Sequence, residues 1–315
     1  MTIESRLPHG LWPVMLTAFR EDGAVDLPGV DALTDWYIAA GSAGLFPVAL
    51  SGEMYEMTDE ERLAVARRVV QRANGRVPVV ASAMFGGSLE SQADFIKRMA
   101  ETGVAAVVML PCQLVAPEED EAILQHRIER LMQLTDPLPL GVYECPRPYH
   151  RLFSPELLAL VAQSGRFLYF KDTCRDIAGI RAKLMAMGSD ARLGLYNAHT
   201  PTTLASLQAG AAGSSPIAGN YYSFLYAWLC SHYAAQPALA AELQTGLTEM
   251  ERIAVNKYPA AAKLYLARLG LPITSYCRTP VAPLSKPDVA LLDVLRDKVV
   301  AWAERVEVDT DRQWS

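Results

Sequence analysis

Lys171 stands immediately after the apolar run Phe167-Leu168-Tyr169-Phe170, and Tyr143 closes a second short run, Leu138-Pro139-Leu140-Gly141-Val142. A lysine carried by an apolar strand into a concave site is desolvated. That disfavours the ammonium, and the neutral amine is the form that adds to a carbonyl carbon and gives an imine. A phenol beside such an imine can carry a proton to or from the substrate oxygen. Each residue also has a plain structural reading: Lys171 as a solvated charge reaching out to Asp172 or Asp176, and Tyr143 as a core tyrosine with a satisfied hydroxyl. Those readings weaken together if the runs are neighbouring strands, because adjacent strands lie about 5 Å apart and matching exit positions bring amine and phenol together.

A third candidate is the turn Ser51-Gly52-Glu53 after the apolar run 44–50. A small hydroxyl and a glycine let backbone N–H groups approach an anion, so the turn could cradle a carboxylate; ordinary turn chemistry is the competing explanation. Glu144, Arg147, Tyr149 and His150 after Tyr143, with Asn197 and His199 further on, have the polarity that suits a hydroxylated sugar acid, or are simply exposed loop groups. Cys145 has no paired His or Asn in the sequence to activate it and reads as a packed thiol.

The elements that must position these groups follow from periodicity. Short apolar runs at 10–16, 44–50, 77–83, 105–110, 138–143, 167–170, 192–196 and 213–217 alternate with amphipathic stretches at 27–40, 59–73, 89–102, 118–133, 155–163, 177–187 and 202–209, and another starts near Tyr222. Thr58-Asp59-Glu60-Glu61 is a capping box, and Ser154-Pro155-Glu156 places a cap before a first-turn proline. Eight strands each followed by a helix predict an α/β fold, a closed (β/α)8 TIM barrel over residues 9–232 with its chemistry at the strand exits. Beyond it the stretches 237–252, 259–269 and 287–306 predict helices packed outside the barrel, so residues 233–315 form a C-terminal helical extension whose polar tail, 307–315, frays.

Composition narrows the function. The 315 residues are 51% hydrophobic and 20% charged, ample material for a large core. Net charge is −6 and the 29 Lys and Arg residues are scattered, which argues against a nucleic-acid partner. No apolar run reaches the roughly 18 residues of a membrane span, and residues 1–10 carry no secretory core, so a cytoplasmic protein is expected. The five cysteines have no C-x-x-C pair and no histidine at zinc-like spacing, which predicts free thiols and no metal site. Gly86-Gly87 and Gly213-Ser214 would be the only support for a phosphate-binding barrel.

Several pieces fall in the order of a known family: Gly10-Leu11-Trp12-Pro13 leading to Thr17-Ala18-Phe19, the Ser51-Gly52-Glu53 turn, Tyr143 with Pro146, Phe170-Lys171-Asp172, and residues 210–220. In these the chain resembles the dihydrodipicolinate synthase and N-acetylneuraminate lyase superfamily of class I lyases. The resemblance implies that Lys171 forms a Schiff base with pyruvate or another 2-keto acid and that Tyr143 relays protons. It also implies that Ser51 and Gly52 hold the substrate carboxylate, that the Ile217 backbone lines the pocket, that no cofactor is used, and that the assembly is a homotetramer, a dimer of dimers. The chain departs from the family at three places. Leu50 stands where a relay hydroxyl is usual, Pro111-Cys112-Gln113 replaces paired tyrosines, and Arg147 lies one residue nearer the tyrosine than the arginine that binds a second carboxylate. The expected activity is therefore that of a Schiff-base aldolase or dehydratase acting on pyruvate or a pyruvate-derived 2-keto acid, a sugar acid or related catabolite, the departures arguing against dihydrodipicolinate synthesis. The alternatives are 4-hydroxy-tetrahydrodipicolinate (dihydrodipicolinate) synthase itself and a non-catalytic barrel that binds a keto acid.

Overall fold

The computed structural model describes residues 6–308, so most of the tail expected to fray lies outside the described residues. The strands are β1 (Gly10–Leu11), β2 (Val80–Ser82), β3 (Ala106–Met109), β4 (Leu140–Tyr143), β5 (Phe167–Asp172), β6 (Gly194–Asn197) and β7 (Gly213–Ser214). They pair in the order β1-β7-β6-β5-β4-β3-β2, every pair parallel. The expected strand 44–50 closes the gap between the sheet edges as a stretch of single bridges, Val14 to Phe46 and Leu45 to Val79. Its backbone is bonded on both sides: Phe46 N–H donates to Pro13 O at 3.1 Å and Val80 N–H to Leu45 O at 2.9 Å. The run is shorter than expected because Val48 turns into left-handed backbone (φ 52°) and the chain then tightens into a 3-10 turn at Leu50–Gly52. The result is the expected (β/α)8 barrel, with no edge left open.

Helices α1 (Leu27–Ala39), α2 (Asp59–Ala73), α3 (Leu89–Ala100), α4 (Glu121–Leu134), α5 (Pro155–Gln163), α6 (Ile177–Met187), α7 (Thr203–Gln208) and α8 (Gly219–His232) surround the barrel, one after each strand. The Thr58 capping box forms as its residues predict, and Ser154 caps α5 by accepting from Leu157 N–H. α4 starts three residues later than its apolar pattern suggests because Asp120 caps it, accepting from Ile123 N–H at 3.0 Å.

Side chains alternate along a strand, so Tyr169 and Lys171 on β5 point the same way, into the barrel. Tyr169 stacks on Tyr196 with ring centroids 4.7 Å apart and meets Trp12 at 5.2 Å and Phe46 at 5.5 Å. This aromatic floor fills the interior beneath Lys171. Glycine at 213 is what lets β7 reach β1: a Cβ there would fall 1.8 Å from Gly10 O.

Three more helices, α9 (Pro237–Ala254), α10 (Ala260–Arg268) and α11 (Lys286–Arg305), follow the barrel. They pack outside the barrel as expected and also reach its mouth. The end of α9 and the approach to α10 bring Glu251, Val255, Tyr258 and Pro259 onto the wall of the cleft at the strand exits. Among the described residues no helix is long and apolar enough to cross a membrane, and the cysteines are free thiols.

Candidate active site

β4 and β5 are paired in a register that sets Tyr143 directly beside Lys171. The Lys171 Nζ lies 4.4 Å from the centre of the Tyr143 ring, and both side chains are buried. Burial drives the lysine pKa down to about 7, with the charge of a Cys145 thiolate acting in the opposite direction. The phenol of Tyr143 moves well above its ordinary range, again chiefly through burial. The plain reading of Lys171 fails on its own partners. Asp172 is held by Lys183 at 2.6 Å, and Asp176 caps α6 by accepting from Ala178 and Gly179 N–H.

The Lys183 ammonium also lies 2.6 Å from Glu144, all three groups being buried. Glu144 accepts from Phe153 N–H at 2.8 Å and Thr173 N–H at 3.0 Å, which ties the loop after β4 to the loop after β5. Burial raises its carboxyl to about 7 against the pull of Lys183. Glu144 is thus a strut behind the site and not the cleft-shaping loop group its sequence position suggested. Tyr149 and Asn197 are likewise turned away: the Tyr149 hydroxyl donates to Val115 O, and Asn197 Nδ2 donates to Ser206 Oγ at 3.1 Å and Thr202 Oγ1 at 3.0 Å.

Across the barrel, the Leu50–Gly52 turn carries Ser51 to the cleft. Gly52 sits just behind it, its carbonyl accepting from Thr17 Oγ1 at 2.8 Å; a Cβ there would press to 2.9 Å from that oxygen and 3.0 Å from Met15 O. The turn is held from outside the barrel proper. Glu53, in left-handed backbone, pairs with the fully buried Lys263 of α10 at 2.5 Å and accepts from Thr279 N–H at 2.7 Å.

Lys171, Tyr143, Ser51, Arg147 and Ile217 all line one cleft of about 710 Å3, as does Leu50. Its outer part is polar. His150 pairs with Thr173 Oγ1 at 2.7 Å and His199 with Thr202 Oγ1 at 3.1 Å, and burial followed by the nearby Arg175 charge lowers both imidazole pKa values. Glu251 accepts from Thr200 Oγ1 at 2.6 Å, with its pKa raised by burial.

Strand-exit position gives no sign of Tyr55, Glu251 and Tyr258, which reach the cleft from the 3-10 turn at Met54–Glu56, from α9 and from the connection between α9 and α10, and Arg175 in the loop after β5 lines the cleft as well. It also misses the company Cys145 keeps. Cys145 lies 3.9 Å from the Tyr55 hydroxyl, and its pKa falls to about 7 through hydrogen bonding with Cys112. Cys112 Sγ and Tyr55 Oη both donate to Arg147 O, at 3.0 and 2.8 Å. No signal in the sequence joins positions 112 and 145.

Residues 7–294 match the model of the dihydrodipicolinate synthetase family. The chain is 30% identical over 302 residues to a 4-hydroxy-tetrahydrodipicolinate synthase of Cereibacter sphaeroides, covering 90% of this chain and 96% of that one. It is 29% identical to the protein of the same name from Hyphomonas neptunium, over 90% of this chain and 94% of that one. Among solved structures it resembles YagE, a prophage protein of the dihydrodipicolinic acid synthase family from E. coli K12 solved with pyruvate, at a TM-score of 0.83 and 24% identity over 93% of this chain and 98% of that one.

Proposed function

Because the chain belongs to the dihydrodipicolinate synthetase family, a family of Schiff-base lyases of the class I aldolase type, we propose that Lys171 condenses with pyruvate or a pyruvate-derived 2-keto acid and that the substrate is a sugar acid or related catabolite. The observation that carries this reading is a lysine whose pKa is about 7, packed against the Tyr143 ring in adjacent register. The neutral amine adds to the keto carbon, the carbinolamine loses water, and the protonated imine draws in the electrons of the bond that breaks at the neighbouring carbons. That bond is carbon–carbon in a retro-aldol step; in a dehydration it is a carbon–hydrogen bond, and the enamine electrons it leaves then expel the hydroxyl of the next carbon as water. Tyr143, whose pKa lies far above neutral, keeps its proton between steps and passes it at the substrate oxygen. Ser51 and its turn receive the carboxylate, and Ile217 and Arg147 complete the lining. His150, His199 and Arg175 on the outer wall suit a hydroxylated chain. No cofactor enters this scheme, and the working assembly is a homotetramer.

Borohydride reduction in the presence of pyruvate, followed by mass spectrometry, should find the adduct on Lys171. Absence of an adduct across a panel of 2-keto acids sinks the reading. A second reading, 4-hydroxy-tetrahydrodipicolinate synthase, is favoured by the names of the similar relatives. Leu50 on the cleft wall and Cys112-Gln113 in place of paired tyrosines weigh against it. Robust condensation of pyruvate with aspartate semialdehyde would establish it.

A further inference from the structure

Tyr258 lines the cleft together with Ser51, Tyr143 and Lys171. Its hydroxyl has a polarity that the buried Asn220 sets. The Asn220 amide donates one proton to Val14 O at 2.9 Å and the other to the Tyr258 hydroxyl at 2.6 Å, while its Oδ1 accepts from Tyr37. A backbone carbonyl can only accept, so the amide cannot be turned round and the Tyr258 oxygen must be the acceptor. The phenolic proton is left to point elsewhere. The neighbouring group is the Ser51 hydroxyl, itself on the cleft wall.

A row of hydroxyls running to water could relay protons. This one ends at Asn220, whose amide passes none on, so Tyr258 is a donor and not a relay. Burial pushes its ionisation well above the usual tyrosine range and keeps it protonated. Leu50 brings no side-chain donor to the turn. An imine on Lys171 carries its carboxylate on the adjacent carbon, and a carboxylate only accepts, which matches donors that converge on it.

Resting on the reading of Lys171 as the imine-forming amine, we propose that Tyr258 is a substrate-binding residue whose O–H donates to the 2-keto acid carboxylate beside Ser51. Tyr258→Phe keeps the ring and removes only the donor. In otherwise wild-type protein it should raise the pyruvate concentration for half-maximal borohydride trapping roughly ten- to hundredfold, as expected for a hydrogen bond to a charged group, and leave the maximal adduct unchanged.

The same substitution in Lys171→Ala protein, which forms no imine, separates binding from chemistry. Titrated by ligand-observed NMR, pyruvate should weaken by a similar factor and methyl pyruvate, which lacks the charge, by less than about twofold. Equal weakening of acid and ester marks a structural role and overturns the proposal, as does unaltered or undetectable pyruvate binding. Trapping on the wild-type protein reads Lys171 by itself, so loss of the imine reading and loss of this one are told apart.

Discussion

The two sides of the cleft are built by different means. Lys171 and Tyr143 hang on a regular parallel ladder, where backbone register alone sets their spacing. Ser51 sits on a 3-10 turn with left-handed backbone on either side, at Val48 and Glu53, and that turn is fixed by a charge pair reaching in from α10. A ladder shares its burden over many hydrogen bonds, whereas a buried ion pair concentrates it in two groups. Damage to one residue should therefore be mild on the first side and severe on the second.

The largest expected effect follows from that asymmetry. Lys263→Met leaves Glu53 charged and unpaired in a fully buried place, which should cost about 3–5 kcal/mol of stability in urea unfolding. Glu53→Gln with Lys263→Met should recover much of the loss, and a single variant as stable as the parent would contradict the comparison.

On the ladder side the test is chemical. With the lysine pKa at about 7, the rate of imine trapping should fall roughly tenfold per pH unit below that value and level off above it. The same depressed pKa links to stability. Between about 7 and the ordinary 10.5 the unfolded lysine binds a proton and the folded one does not, so this group's contribution rises with pH across that window and is lost as pH falls through it. Lys171→Met should flatten that slope in denaturation measured from pH 7 to 10.

The smallest effect concerns Cys145, whose thiolate favours the Lys171 ammonium. Cys145→Ser should move the midpoint of the trapping profile to lower pH by a fraction of a unit, with the maximum retained; a shift upward would mean that the two groups do not interact in this sense.

The ladder side was the legible one. Alternating apolar runs, strand-end position and the cap at Thr58 are local signals, and they led to the barrel and to the Lys171 and Tyr143 pair. Glu144 misled because a carboxylate in a loop looks exposed, and only the folded chain brings Lys183 and Asp172 to it. The run 44–50 was read too long because nothing in its apolar pattern announces left-handed backbone at Val48. Glu53, Lys263, Asn220 and Tyr258 form contacts between segments far apart in the chain, and no periodicity reports those.

The pair between Glu53 and Lys263 spans 210 positions of the chain. During synthesis the turn that carries Ser51 emerges early, but its anchor leaves the ribosome only after every barrel strand has been made. A nascent chain ending before residue 263 lacks both Lys263 and Thr279, which bond the Glu53 carboxylate. The turn that carries Ser51 thus gains its anchor late, when the protein is nearly whole.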